Sequence, residues 1–182
     1  MQSPLRRRAF TLIEMTIVVA LMGLAGALVI PSMGSVGALR VQAALRTLVS
    51  DITFAQSDAI AFQQKRAIVF DTVNNTYSLL AVQGATLDAT TQMMYDPSKR
   101  DGKYTVRFSD KGYAGATLSA VTMNGSTATA LVFDELGTPV VSAASDQPTT
   151  GGSITLSAPD SRWSIVVDAF TGRVSVRKLE LN

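Results

Sequence analysis

The chain of 182 residues has no cysteine and no histidine, which excludes thiol catalysis, disulfide staples and the usual zinc ligand sets. Arg6, Arg7 and Arg8 supply three of the 16 basic side chains before the first acid appears at Glu14. Removing them leaves 13 basic against 14 acidic, so the formal charge of +2 belongs to the N-terminus and gives no field for binding polyanions.

From Phe10 to Ile30 the chain is apolar apart from one charge, Glu14. As a helix this stretch rises ~1.5 Å per residue, close to the ~30 Å hydrocarbon core of a bilayer, with the three arginines holding its start on the cytoplasmic side. A carboxylate in lipid costs roughly 2.5–3.5 kcal/mol on insertion scales, which marks Glu14 as a functional residue in need of a partner. The plainer reading is a helix-initiation carboxylate stabilised by the helix dipole. Pro31 removes an amide donor and predicts a kink, after which the helical pattern resumes.

Val41, Leu45, Leu48, Ile52, Ala55, Ala59 and Phe62 recur at alternating spacings of four and three, an apolar stripe on which a β-domain would dock. Arg40, Arg46, Asp51, Asp58 and Gln63 fall on other faces. The flank around Leu39, Ala43 and Ala44 is left for neighbouring helices. The prediction is one kinked helix of ~50 residues, apolar all round in its first half and amphipathic in its second.

Beyond Gln64 the period changes to two. Ala67 to Phe70 and Thr76 to Val82, around an Asn74-Asn75 turn, predict a hairpin. Further strands are predicted over Tyr104 to Phe108, Ala116 to Met123, Thr129 to Phe133 and Trp163 to Val167, the last placing Trp163, Ile165 and Val167 on one face. Val174 and Val176 follow a Thr171-Gly172 turn in a final strand. Loops are predicted at 96–102, 110–115, 124–126 and 146–152. The fold class is therefore α+β, a long kinked N-terminal helix packed on a C-terminal antiparallel β-sheet domain.

Little in the β-region points to catalysis. Asp96, Asp101 and Asp110 match no EF-hand spacing and are interleaved with Lys99, Arg100 and Lys103, so no metal or cofactor is expected. Asp160, Ser161 and Ser164 have no histidine base, and no catalytic residue is assigned. Arg173, Arg177 and Lys178 read as a charged edge strand protected against aggregation, in preference to a nucleic-acid contact.

Ala9-Phe10-Thr11-Leu12-Ile13-Glu14 resembles the type IV prepilin motif, in which a peptidase cuts just before a phenylalanine. Pro31 falls where many pilins carry a helix-bending proline. Phe54-Ala55-Gln56-Ser57-Asp58-Ala59-Ile60, with Phe133, Gly137, Trp163-Ser164-Ile165 and Gly172-Arg173-Val174, resembles the GspH/FimT family of minor pseudopilins and minor pilins. The resemblance implies a leader peptide at 1–9, a transmembrane helix half at 10–31, an amphipathic half at 32–64 and a periplasmic β-rich domain at 65–182.

It further implies cleavage between Ala9 and Phe10 and N-methylation of Phe10 by the same peptidase. Glu14 of one subunit would then meet the new amine of its neighbour, relieving the desolvation cost of both charges. The family usually has glycine before the scissile bond; Ala9 is small and is expected to be processed. Some pilus-branch members carry a Gly-Arg-x-Arg linked to DNA binding, whereas Gly172-Arg173-Val174-Ser175 lacks the second arginine.

The implied function is that of a minor pseudopilin of a type II secretion system, at or near the pseudopilus tip. The protein would sit as a single-pass protein of the bacterial inner membrane, with its β-domain in the periplasm. Its partners would be other pseudopilins or pilins, the prepilin peptidase/methyltransferase, the inner-membrane assembly platform and the lipid bilayer. The close alternative is a minor pilin that primes a type IV pilus or DNA uptake. A third reading is an exported soluble binding domain, with a twin-arginine-like Arg7-Arg8-Ala9-Phe10-Thr11 and a cleavage site at Ala25-Gly26-Ala27. Glu14 interrupts the apolar core that such a signal needs.

Overall fold

Helix α1 (Leu12–Val29) starts where the Thr11 hydroxyl accepts the amide N–H of Glu14 at 3.3 Å, an N-cap bond that satisfies one free donor of the first turn. The computed structural model describes residues 10–29, 33–113 and 115–180. The chain divides into two compact units, Met1–Val36 and Gly37–Asn182. The leader with Ala9, and Pro31 with its predicted kink, lie outside the described residues.

Helix α2 (Met33–Phe62) ends at Gln63, whose φ of 50° turns the chain out of the helix. The Gln63 amide group donates to the carbonyls of Ile60 and Glu135, fastening that exit. Among the described residues ten strands follow: β1 (Arg66–Asp71), β2 (Thr76–Ala81), β3 (Thr105–Arg107), β4 (Thr117–Met123), β5 (Ser126–Thr127), β6 (Ala130–Phe133), β7 (Pro139–Val140), β8 (Gly152–Ala158), β9 (Ser161–Val167) and β10 (Val174–Leu179). They form two five-stranded sheets, in the orders β3-β2-β1-β6-β7 and β10-β9-β8-β4-β5, with antiparallel pairing throughout.

Both sheets turn an apolar face to α2 and share one core with it. Val41, Leu45, Leu48, Ile52, Ala55 and Ala59 pack with Phe70, Tyr77, Leu79 and Phe133 of the first sheet and with Leu118, Ile154, Leu156 and Ile165 of the second. A smaller cluster of Ala67, Leu80, Val132 and Val140 covers the far face of the first sheet, under Leu87 and Met93 of the segment after β2.

Asn75 ties the sheets together. It sits in the β1–β2 turn at a φ of 55°, its Nδ2 donates to the Ala116 carbonyl at 2.9 Å, and its Oδ1 accepts the Leu118 amide at 2.7 Å. One side-chain amide thus fixes the tip of a hairpin in the first sheet to the start of β4 in the second.

The predicted strands all form, with bounds shifted by a residue or so. Strands β5, β7 and β8 are additions to the prediction. β8 is central to its sheet, yet the Gly151-Gly152-Ser153 run at its start reads as loop because Gly152 is there for space. A Cβ on Gly152 would lie 2.1 Å from the Met123 sulfur and 2.3 Å from the Thr122 carbonyl oxygen.

Candidate functional site

Two regions carry the features singled out in the sequence. In the first, α1 presents apolar side chains on all sides: Leu12, Ile13, Val19, Met22 and Leu24 are exposed, as is Phe10 ahead of it. Glu14, also exposed, is its single charge and stands in its first turn. Thr11 and Glu14 therefore have the spacing of a capping box, so the dipole reading of Glu14 fits this geometry as well as a role toward a neighbour. Among the described residues no helix is long and apolar enough to cross a membrane; the 18 residues of α1 rise ~27 Å, and the predicted span runs on to Pro31.

The second region is the junction between α2 and the turns of the β-domain. Gln56 Nε2 donates to the Gly137 carbonyl at 2.8 Å and to the Thr171 carbonyl at 2.7 Å. Both turns are built on left-handed glycines, Gly137 at φ 79° and Gly172 at φ 64°, a region that strains other residues. Each is braced by an aspartate. Asp134 accepts the amides of Leu136 and Thr138, while Asp168 accepts those of Phe170 and Thr171 and the Thr171 hydroxyl. These bonds hold the Asp168 carboxyl below its usual range, the Thr171 amide contributing most. The motif residues Gln56, Phe133, Gly137 and Gly172, far apart in sequence, thus meet at one clasp.

Further along α2, Asp51 is buried and accepts hydrogen bonds from the hydroxyls of Tyr77 at 2.6 Å and Tyr104 at 3.0 Å. Burial raises its carboxyl above the ordinary range, partly offset by those two donors. The Tyr77 and Tyr104 hydroxyls are pushed well up in turn, by burial first and by the Asp51 charge second. Phe54 stacks on the Tyr104 ring with centroids 5.9 Å apart. At the C-terminal end of the helix, Asp58 pairs with Arg66 of β1, both side chains nearly buried.

Four expectations for α2 need correction. Asp51 faces the core, because Ala44 and Asp51 fall in line with Leu48 and Ala55 at helical spacing and widen the buried arc beyond the predicted stripe. Ala44 is fully buried in that row and offers nothing to a neighbouring helix, whereas Leu39 is 62 % exposed. Asp58 is drawn inward by Arg66 instead of lying on a solvated face. Phe62 is 65 % exposed, and the Arg66 guanidinium lies over its ring at 5.7 Å.

The loop acids are used locally. Asp96 accepts the Ser98 amide and hydroxyl, and Asp101 the Lys103 amide. Among the described residues no group of three acids is placed to hold a metal ion. Ser164 is buried within β9.

A family model described as type II transport protein GspH matches residues 44–172. The chain belongs to that family. A second model, the prokaryotic N-terminal methylation motif, matches residues 4–30, which contain Ala9, Phe10 and Glu14. Among solved structures, this GspH-family chain is similar to the minor pseudopilin EpsH from the type 2 secretion system of Vibrio cholerae, at 12% identity and a TM-score of 0.49, over 77% of this chain and 96% of that one. It is also similar to the type IV minor pilin FimU of Pseudomonas aeruginosa, at 14% identity and a TM-score of 0.47, over 75% of this chain and 87% of that one. No curated protein sequence matches it. The GspH match takes in α2 from Ala44 onward and ends at Gly172, so the whole clasp lies within the family's span.

Proposed function

We propose that the chain works as a minor pseudopilin of a type II secretion system, joining a pseudopilus through its N-terminal helix and presenting its β-domain to partner subunits or cargo. The observation that carries the reading is the match of residues 4–30 to the methylation motif, joined to a helix whose exposed apolar surface holds a single carboxylate. Cleavage after Ala9 would make Phe10 the first residue and create an α-amine, which N-methylation leaves cationic. Glu14 of an adjoining subunit is the natural counter-charge for it. In lipid, each ion alone is costly, and together they fix the axial register of assembly. The role is structural: it positions subunits and calls for no catalytic group.

In this reading residues 10–31 cross the inner membrane and 65–182 lie in the periplasm. The prepilin peptidase/methyltransferase and the inner-membrane assembly platform are the partners that processing and extraction require. Mass spectrometry of the mature N-terminus tests the proposal. A chain starting at N-methylated Phe10 is expected. A start at Leu28, after the Ala25-Gly26-Ala27 site, or an unprocessed Met1 overturns it.

A further inference from the structure

Among the described residues, β10 is the outermost strand of its sheet and pairs with β9 alone. Arg173 already directs its carbonyl toward the β9 side, accepting the Asp168 amide at 3.0 Å. By the alternation of an antiparallel ladder, Ser175, Arg177 and Leu179 then bond to β9, and Val174, Val176 and Lys178 turn their backbone N–H and C=O groups to the open edge. The side chains of those three residues share the face that looks toward α2.

Along this edge runs an apolar groove of about 420 Å³, lined by Leu45, Val49, Trp163 and Val176, with Gln42, Arg46 and Ser50 at its rim. Val176 is 43 % exposed at its mouth. A strand added beside β10 would place alternate side chains into this groove and the others on the opposite face. On that opposite face stand Arg162, Arg173 and Arg177; Arg46 and Lys178 flank the groove itself. None of the five forms a salt bridge among the described residues, and the acids nearby are Asp160 in the β8–β9 turn, Asp168, and Glu180 past the strand's end.

We propose that the β10 edge is a seat for an extended segment of a partner protein, apolar on one face and acidic on the other, which binds by strand addition. The open ladder supplies backbone bonds, the groove supplies apolar burial, and the arginines supply the sign of the charge. A second copy of this chain is the poorer occupant, since two β10 strands side by side would oppose their own cations. The proposal goes beyond the pseudopilin reading and stands independently of how the N-terminus is processed.

Trp163 is the sole tryptophan, so its fluorescence reports directly on the groove. The experiment titrates the full chain in detergent micelles with a short peptide alternating glutamate and valine. Its controls are a peptide of the same composition with the glutamates and valines in separate blocks, and a short DNA duplex. The alternating peptide is expected to shift Trp163 emission and to slow amide exchange at Val174, Val176 and Lys178. Val176→Pro removes a donor from the open edge without touching the β9 bonds and should abolish both effects, with circular dichroism confirming the fold. Arg177→Glu, which leaves the backbone alone, should weaken binding roughly fivefold. Equal binding by the block peptide or the DNA, or binding that survives Val176→Pro, overturns the proposal. So does a peptide-free dimer that already protects these amides.

Discussion

The amide nitrogen of Gln56 sits where a side chain on Gly172 would have to go: a Cβ built there falls 2.6 Å from Gln56 Nε2 and 3.0 Å from the Phe133 ring. Helix α2 and the last turn of the β-domain are thus closed on each other with no room for a methyl group. Gly172→Ala combines that clash with a φ of 64° and should cost about 1–3 kcal/mol in chemical denaturation. Gln56→Ala gives up two bonds to carbonyls and should cost a similar ~1–3 kcal/mol. The double variant should lose less than the two single losses added, because removing the Gln56 amide makes space for the Ala methyl. Strict additivity would show that the two residues do not contact as described.

Glu14→Ala should enter the membrane at least as well as the parent chain, since it removes a charge from an apolar helix. Cross-linking to other pseudopilins should fall by about tenfold or more, the loss of one buried ion-pair partner. Normal co-assembly of Glu14→Ala would leave the carboxylate with its place near the N-terminal end of the helix dipole and nothing more.

Asp51 predicts a pH dependence of a definite sign. Its folded-state carboxyl is raised above the unfolded value, chiefly by burial. Its contribution is therefore fully present below the unfolded value and is lost as pH rises through the raised folded one. Measured against Asp51→Asn, which does not titrate, the parent protein should lose relative stability over that window. An unchanging difference from pH 3 upward would show that the carboxylate is ionised at no cost between its two tyrosines.

The Asp58–Arg66 pair is nearly buried at both ends. Asp58→Ala should destabilise by about 3 kcal/mol, because it strands a guanidinium whose other partners are the Gln64 side chain and the Lys65 carbonyl. The Lys65–Asp146 pair makes the comparison: its acid is 83 % exposed and its lysine also donates to the Ala143 and Ser145 carbonyls, so Asp146→Ala should change stability by less than about 1 kcal/mol.

How much of this was legible from the residues follows from the range of the interactions. The helix stripe and the first hairpin were readable because their signals are local: spacings of three and four in α2, and alternation around Asn74-Asn75 in β1 and β2. Asp51 was misplaced because a lone acid beside an apolar row is ordinarily solvated, and its tyrosine partners lie 26 and 53 residues away. Asp58 and Ala44 failed in the same way, the first for want of Arg66 and the second because the core reaches around a wider arc of the helix than one stripe. β8 was hidden by glycines that serve packing. Gln56, Phe133, Gly137 and Gly172 stand in the stretches that carry the family resemblance, whereas Asp134 and Asp168, which brace the two turns, do not; the convergence on Gln56 spans up to 115 positions and has no periodic signature.

The amide of Asn75 has a bearing on how the domain comes together. It spans 41 positions to reach Ala116, whereas the hairpin that carries it closes by contacts a few residues apart. Local closures of that kind occur in microseconds, and long loops close at greater entropic cost. The hairpin tip is therefore a ready-made template at which the first strand of the other sheet can be captured in register. In that one side chain the two sheets of the domain meet the point at which their mutual alignment is set.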